Sequence, residues 1–169
     1  MKILEEIINK DVTRIFKAPE KTTVPKGFQS IFLAGSIEMD KAEKWQDAIS
    51  KTLVKEFNKL IIFNPRRDNW DSSWKQEVTN KNFYGQVDWE HEHIVESDFL
   101  FVYFQKDTQS PISLLELGLA AGSKKKTVVC CPNGFWRKGN VDYICQKYNM
   151  ATIESIDDLP EWLKKNGAR

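Results

Sequence analysis

Glu116 is the acidic residue whose sequence surroundings are hardest to explain by structure alone. It lies in Leu114-Leu115-Glu116-Leu117-Gly118-Leu119, a segment that predicts a helix with apolar residues on most faces. A carboxylate in such a helix cannot easily reach bulk solvent, and carboxylates are rarely buried without a partner. A buried salt bridge or a capping interaction is one explanation. We favour the other, a functional carboxylate that the adjacent helix N-terminus keeps ionised and directs at a ligand.

A second acidic segment, Asp88-Trp89-Glu90-His91-Glu92-His93, falls on a predicted helix from 87 to 96. One acidic group from this helix and Glu116 from the next helix could converge at the end of one strand. Paired carboxylates in a cleft are typical of glycosyl transfer, in which one attacks or stabilises the anomeric carbon and the other protonates the leaving group. The two segments therefore predict a carboxylate pair.

The two histidines of this segment do not indicate a metal site. His91 and His93 are two residues apart and diverge on a helix, whereas metal-binding helices use pairs three or four residues apart. Glu90 and His93 have the latter spacing, but two residues do not make a metal site. We predict neither a metal nor any other cofactor.

Polar residues also follow the first two predicted strands. Gly35 and Ser36 come directly after the first strand, where the glycine permits close backbone approach and the serine could cap a helix. There is no GxGxxG or Walker motif, so a dinucleotide or P-loop site is not supported, and a plain tight turn is an equally good interpretation. After the second strand, residues 64–70 include Asp68 and Asn69 with arginine and tryptophan, which could bind a planar ring. An exposed loop with ordinary salt bridges explains this segment as well.

Strands and helices alternate along the chain and would position these loops. Continuous apolar runs predict the strands and helical spacing predicts the helices. The strands are 31–34, 60–63, 99–104, 127–131 and 151–153, and the helices are 45–57, 87–96, 112–121, 140–148 and 159–165. Such alternation implies a mainly parallel sheet with both faces covered. Ligands of such sheets bind beyond the carboxyl ends of the strands, where the polar loops lie.

Length and composition narrow the class of protein. The chain has 169 residues, 41% of them hydrophobic and 29% charged, as expected of one compact domain. We predict an N-terminal arm over residues 1–28 and one α/β domain over 29–169. A formal net charge of +1 provides no general attraction to nucleic acid or to an anionic membrane. No apolar run is long enough for a membrane helix and the acidic N-terminus is unlike a signal peptide, so we expect a cytoplasmic protein.

Three motifs in order resemble the nucleoside 2-deoxyribosyltransferase superfamily. They are Phe32-Leu33-Ala34-Gly35-Ser36-Ile37, the helix with Asp88-Trp89-Glu90 that leads to Ser97-Asp98, and Ser110-Pro111-Ile112-Ser113-Leu114-Leu115-Glu116-Leu117-Gly118. The most similar branch is the one called nucleoside 2-deoxyribosyltransferase-like. The resemblance extends from about residue 29 to residue 148. It rests on the ordered set with matching intervals, because the Glu-Leu-Gly motif alone is short.

The resemblance implies a role for each motif. Glu116 corresponds to the nucleophile that forms a covalent glycosyl-enzyme, and Glu90, eight residues before Asp98, corresponds to the acid that handles the proton of the base. Asp88 is the reserve candidate for that acid should the helix register differ. Ser110, six residues before the nucleophile, corresponds to a contact with the sugar hydroxyls that is aspartate in typical transferases. Related deoxynucleoside 5'-monophosphate N-hydrolases have serine there, so hydrolysis stays an alternative to transfer.

Two positions bear on whether the substrate carries a phosphate. The monophosphate hydrolases bind phosphate with an arginine after Gly-Ser-Ile and with a serine of a neighbouring subunit, and the matching residues here are Glu38 and Asn140. Glu38 would repel a phosphate. Asn140 resembles instead the asparagine that reaches across a subunit interface to the 5'-hydroxyl in transferases. The resemblance thus implies a neutral nucleoside and a homo-oligomer with shared sites, although Arg66, Arg67 and Arg137 could still bind phosphate.

Together these observations predict a flavodoxin-like or Rossmann-like three-layer α/β sandwich with a mainly parallel five-stranded sheet. We predict that the protein cleaves the N-glycosidic bond of a (2'-deoxy)nucleoside with retention and passes the sugar to another nucleobase. Substrate contacts are expected from Gly35, Ser36, Asp68, Asn69, Asp88, Ser110 and Asn140. Two alternatives stay open: an N-glycohydrolase, in which water replaces the acceptor base, and a nucleotide-sensing module of this fold without turnover.

Overall fold

The computed structural model describes residues 12–37 and 42–169, and within these ranges it contains one parallel sheet of six strands in the order β1-β3-β2-β4-β5-β6. The strands are β1 (Arg14–Lys17), β2 (Gln29–Gly35), β3 (Leu60–Asn64), β4 (Phe99–Tyr103), β5 (Thr127–Cys130) and β6 (Ala151–Ile153). The helices are α1 (Trp45–Glu56), α2 (Lys81–Glu96), α3 (Pro111–Ser123), α4 (Lys138–Lys147) and α5 (Leu159–Lys165). None of these helices is long and apolar enough to cross a membrane.

Both faces of the sheet are covered, which explains the continuous apolar runs of its central strands. Successive side chains of β2 alternate between the faces, so that Phe32 and Ala34 pack on one side and Ile31 and Leu33 on the other. Helices α2, α3 and α4 cover the first face, and α1 and α5 cover the second. The prediction of a three-layer α/β sandwich with a mainly parallel sheet is confirmed.

The sheet has one strand more than the five predicted. Strand β1 lies within residues 1–28, the segment predicted as an N-terminal arm, and pairs with β3 in a register that sets Arg14 opposite Ile61 and Lys17 opposite Asn64. All four of its residues are at least partly exposed. An edge strand of this kind needs no long apolar run, and its sequence Arg-Ile-Phe-Lys does not contain one.

Helix α2 begins six residues before the predicted start at 87, at Lys81. Its N-cap is Asn80, whose side-chain Oδ1 accepts hydrogen bonds from the backbone N–H groups of Asn82 (3.1 Å) and Phe83 (3.2 Å). Most residues of 81–86 are exposed and they have no regular apolar spacing, so hydrophobic periodicity alone does not reveal these first turns. The longer helix fixes the register of its later turns, which carry Glu90.

The order of the strands changes direction between β2 and β4. The chain passes from β2 to β3 on one side, whereas β4 and β5 continue on the other, which leaves a crevice beyond the carboxyl ends of β2 and β4. Gly35 lies at this point with φ of 146°, and a Cβ there would be 2.2 Å from the carbonyl oxygen of Tyr103. Only glycine therefore allows the two strand ends to approach each other this closely.

Candidate functional site

Three buried hydroxyl groups meet at the crevice. Ser36 Oγ lies 2.9 Å from Thr108 Oγ1 and 2.6 Å from Ser110 Oγ, and the last two oxygens are 2.8 Å apart. The backbone N–H of Gln105 donates to Ser36 Oγ at 2.8 Å, and Thr108 Oγ1 donates to the carbonyl of Gln105 at 2.7 Å. The hydroxyl cluster, Ser36, Thr108 and Ser110, thus ties the loop after β4 to the end of β2. It brings two predicted substrate-binding residues side by side.

Ser110 also sets the start of helix α3. Its backbone is left-handed, with φ of 47° and ψ of 50°, and Pro111 follows as the first helical residue. From this start the helical period turns Ser113, Glu116 and Leu117 inward, whereas Leu115 is 71% exposed. The hydroxyl cluster and the proline therefore decide which side of α3 faces the crevice.

The Glu116 carboxyl group is buried, with 9% of the residue exposed. Burial raises its pKa well above the usual range, and the nearby charge of Glu90 raises it further. In the described ranges no Lys, Arg or His forms an ion pair with Glu116. The structure thus does not support the salt bridge that the sequence left open as an explanation for this residue.

Glu90 is the second acidic side chain of the crevice. The residue as a whole is half-buried on α2, but its carboxyl group is buried, and Oε1 accepts a hydrogen bond of 2.8 Å from the side-chain amide of Gln86. Burial raises the pKa of Glu90 to about 7, and the Gln86 amide opposes this rise by stabilising the carboxylate. The carboxyl group therefore keeps its proton to a higher pH than an exposed glutamate does.

Glu90 and Glu116 lie close enough for the charge of Glu90 to act on Glu116. Two carboxyl groups coupled in this way lose their protons in steps that belong to the pair. Between the two steps one carboxyl is a proton donor and the other is ionised. A leaving group that needs a proton and a carbon that needs a nucleophile could both be served by such a pair.

The loop after β3 and the exposed side of α2 carry three other predicted contacts. The Asp68 carboxylate is exposed and pairs with Lys17 Nζ at 3.0 Å, and Asn69 Oδ1 accepts a hydrogen bond of 2.6 Å from Arg67 Nε. Asp88 is exposed on α2, two residues before Glu90. The structure does not bring these three residues into hydrogen bonds or ion pairs with the carboxylate pair or the hydroxyl cluster. Their roles stay predictions, and Glu38 lies outside the described residues.

Arg66 is buried, and its guanidinium group donates to backbone carbonyl groups. Nη1 donates to the carbonyl oxygen of Glu43 at 2.8 Å and Nη2 to that of Ala42 at 3.1 Å. The backbone N–H of Arg66 donates to Asn64 Oδ1 at 2.9 Å. These contacts hold the start of α1 against the end of β3, so we assign Arg66 a structural role.

Asn140 lies on a groove between α3 and α4 with a volume of about 350 Å³. The groove is lined by Leu114, Leu117, Gly118, Arg137, Asn140, Val141 and Ile144. Asn140 thus faces a groove that Glu116 of its own chain does not line. Beside it, the Trp136 indole N–H donates to the carbonyl of Gln109 at 3.0 Å, although the residue remains 54% exposed.

Sequence reasoning missed two residues of this site. Thr108 contacts both other hydroxyls of the cluster, yet a threonine in a polar loop gives no signal in a single sequence. Gln86 could have been found, because it precedes Glu90 by four residues and such pairs meet on one side of a helix. The prediction that α2 began at 87 excluded it from the helix.

Comparisons with known proteins bear on the family and on the fold. A family model described as nucleoside 2-deoxyribosyltransferase like matches residues 29–135. A solved structure titled as that of a conserved protein from Enterococcus faecalis V583 has a TM-score of 0.61 and 16% sequence identity, over 82% of this chain and 99% of that chain. At this identity the likeness shows a common fold and nothing finer. No curated protein matches the chain.

The family model covers more than half of the chain and includes Gly35, Ser36, Glu90, Ser110 and Glu116. It also confirms the resemblance that the three sequence motifs indicate. The chain belongs to the nucleoside 2-deoxyribosyltransferase-like family.

Proposed function

We propose that this protein cleaves the N-glycosidic bond of a (2'-deoxy)nucleoside with retention and transfers the sugar to another nucleobase. The observation that carries the proposal is the pair of buried carboxyl groups, Glu90 and Glu116, with no cation of the described ranges paired to either. Cleavage of a glycosidic bond develops positive charge on the sugar. A site with an unpartnered carboxylate is complementary to that charge, and this favours the transition state over the bound substrate.

Glu116 has the more strongly raised pKa in the free protein, but the reaction needs the one proton of the pair on Glu90. The positive charge that develops on the sugar favours this position of the proton by stabilising ionised Glu116. In the first step an oxygen of the Glu116 carboxylate then forms a bond to the anomeric carbon. The bond between that carbon and the base nitrogen breaks, its electron pair stays on the base, and the base takes a proton from Glu90. In the second step Glu90 takes a proton from the incoming base, whose nitrogen attacks the anomeric carbon and releases the Glu116 carboxylate. A pKa of about 7 suits Glu90 to both roles, because the group can give and accept a proton near neutral pH.

Hydrolysis is a second candidate function, and Ser110 is the residue that favours it. In the second step water would replace the incoming base and lose its proton to Glu90. The typical transferase has aspartate where this chain has a serine within the hydroxyl cluster. Three neutral hydroxyls can hydrogen-bond water or a sugar hydroxyl equally well, so they provide less control over which acceptor enters.

Product analysis with purified protein tests the function and the nucleophile together. We expect a deoxynucleoside with a different free base to give a new nucleoside, and Glu116→Gln to lower the rate by roughly 10⁴-fold or more because an amide cannot form the sugar ester. Glu161→Gln, which removes an exposed carboxylate on α5, is the matched control and should keep the normal rate. Free base as the sole product would identify a hydrolase, and binding without product would identify a sensor. Near-normal turnover by Glu116→Gln would refute the nucleophile.

A comparison of leaving groups tests Glu90. We expect Glu90→Gln to lower the rate by about 10²–10⁴-fold for a base that needs protonation and to have little effect on an activated base that departs unaided. Glu92→Gln, on an exposed position of the same helix, should not affect either rate. Steady-state rates for the two substrates are the measurement. Equal losses on both would mean that Glu90 supports the structure and does not transfer the proton.

We further propose that the active species is a homo-oligomer in which Asn140 completes the site of a neighbouring subunit. Helix α3 presents exposed Ile112, Leu115 and Leu119 beside the groove on which Asn140 lies. Apolar side chains exposed together on one helix are typical of an interface. The Trp136 indole N–H bonds to Gln109 of its own chain, but the exposed part of the Trp136 side chain is available to a partner subunit.

Mixing two inactive variants tests the shared site. An Asn140→Ala chain retains Glu116, and a Glu116→Ala chain retains Asn140, so one of the two sites of a mixed dimer would contain both residues. With free subunit exchange and equal amounts, about a quarter of the wild-type activity should return, since half of the dimers are mixed. Confirmed mixed dimers with no more activity than the separate variants would mean that each site is built from one chain.

A further inference from the structure

Gln86 makes a contact that bears directly on the chemistry of Glu90. The residue is 4% exposed, and its side-chain Nε2 lies 3.0 Å from the carbonyl oxygen of Pro65 and 2.8 Å from Glu90 Oε1. Pro65 directly follows β3, and Glu90 is one helical turn beyond Gln86 on α2. The amide therefore links the carboxyl end of β3 to the acidic side chain of the crevice.

The contact with Pro65 fixes the orientation of the amide. A backbone carbonyl only accepts hydrogen bonds, so the group that faces it must be the NH₂ and not the oxygen. The NH₂ has two hydrogens, one for Pro65 and one for Glu90, and both are used. The Glu90 oxygen that faces Gln86 must then be an acceptor in either protonation state. When Glu90 is neutral, its proton is on Oε2.

We propose that Gln86 is the positioning residue of the acid–base step: it holds Glu90 Oε1 as an acceptor and so assigns proton transfer to Oε2. This inference rests on the proposed function of Glu90. Gln86 acts through Glu90 and does not itself reach the reacting atoms. Without it the carboxyl group could rotate and place its proton on either oxygen, and the oxygen nearest the base would carry it only part of the time.

The same hydrogen bond lowers the pKa of Glu90 and so affects both proton transfers of the proposed reaction. The Gln86 amide from α2 is the polar group that acts on Glu90, and the charge of Glu90 in turn acts on the Glu116 carboxyl group of α3. Burial raises the pKa of Glu90. The amide opposes that rise because it stabilises the ionised carboxylate more strongly than the neutral carboxyl group. Removal of the amide should therefore raise the pKa further. At neutral pH a smaller fraction of Glu90 would then be ionised, so fewer molecules could take up a proton in the second step.

Gln86→Met is the variant to use, since methionine is similar in length but cannot donate. Gln86 Oε1 is buried and has no hydrogen-bond partner in the described ranges, so methionine also removes an unsatisfied oxygen. The exposed Gln146→Met on α4 is the matched control. Gln86→Glu is the second variant, because a carboxyl group there places a like charge beside Glu90 and should raise its pKa more than methionine does.

The pKa of Glu90 can be read by ¹³C NMR of labelled glutamate carboxyl groups, with Glu90→Gln to assign the signal. We expect a midpoint near 7 in the wild type and in Gln146→Met, and a rise of about one to two pH units in Gln86→Met. The alkaline limb of the rate profile should move by the same amount. An unchanged midpoint in folded Gln86→Met would overturn the proposal.

A measurement on the wild type guards against a variant that does not fold. The side-chain ¹⁵N–¹H signals of Gln86 should titrate with the Glu90 midpoint and not with that of exposed carboxylates. If the chemical shifts of the Gln86 side-chain amide do not change at the Glu90 midpoint, the contact is also refuted. Neither NMR result requires turnover, so a protein without glycosidic activity that shows both titrations would refute the proposed function and leave the Gln86 contact intact.

Discussion

Two carboxyl groups held away from water beside each other are the constraint on which the rest of this site depends. Glu90 and Glu116 have raised pKa values mainly because they are buried, and no cation of the described ranges compensates either charge. For Glu90, a rise from 4.5 to about 7 corresponds to about 3 kcal/mol at most. Because the pKa of Glu90 is higher in the folded state than in the unfolded state, Glu90 contributes this free energy of unfolding at low pH. The contribution is lost as the pH rises from 4.5 towards 7. In the proposed reaction, the positive charge that develops on the sugar would offset the cost of ionising a buried carboxyl group.

The fold provides this arrangement by placing the ends of several strands at one point. The change of strand direction between β2 and β4 opens the crevice, and Gly35 allows the two strand ends to approach closely. The hydroxyl cluster then fixes the start of α3, so that Glu116 faces inward. On the other side, Gln86 connects α2 to the end of β3 and holds Glu90. The position of Glu116 thus depends on the hydroxyl cluster and that of Glu90 on the Gln86 amide, both at the carboxyl edge of the sheet.

Much of this was predictable from sequence, and the errors have identifiable physical causes. The central strands have continuous apolar runs because helices cover both faces, so periodicity predicts them. Edge strand β1 is partly exposed and has no such run. The start of α2 depends on the polar cap of Asn80, which hydrophobic spacing does not detect. The sequence identifies Glu116 as a candidate because a carboxylate surrounded by leucines is rarely buried without a function or a partner. It does not identify Thr108, because only three-dimensional contact gives a loop threonine its role.

The loop after β3 and the groove of Asn140 are less determined by sequence for a different reason. Asp68 and Asn69 satisfy their polar groups with neighbouring Lys17 and Arg67, so residue type alone does not distinguish a ligand contact from a surface salt bridge. Asn140 lines a groove that Glu116 of the same chain does not line. The proposed shared site would depend on a surface that one chain does not complete.

Trapping of the sugar on the protein tests the central claim, that Glu116 is the nucleophile, most directly. Fluorine on the sugar carbon next to the anomeric centre destabilises the positive charge that develops there, so a nucleoside that carries it reacts slowly in both steps. A good leaving base restores the rate of the first step, and the covalent intermediate then accumulates. We expect mass spectrometry of the denatured protein to find one added fluoropentosyl group, and peptide mapping to place it on Glu116. Turnover of the natural substrate without any adduct, or an adduct on another residue, would contradict it.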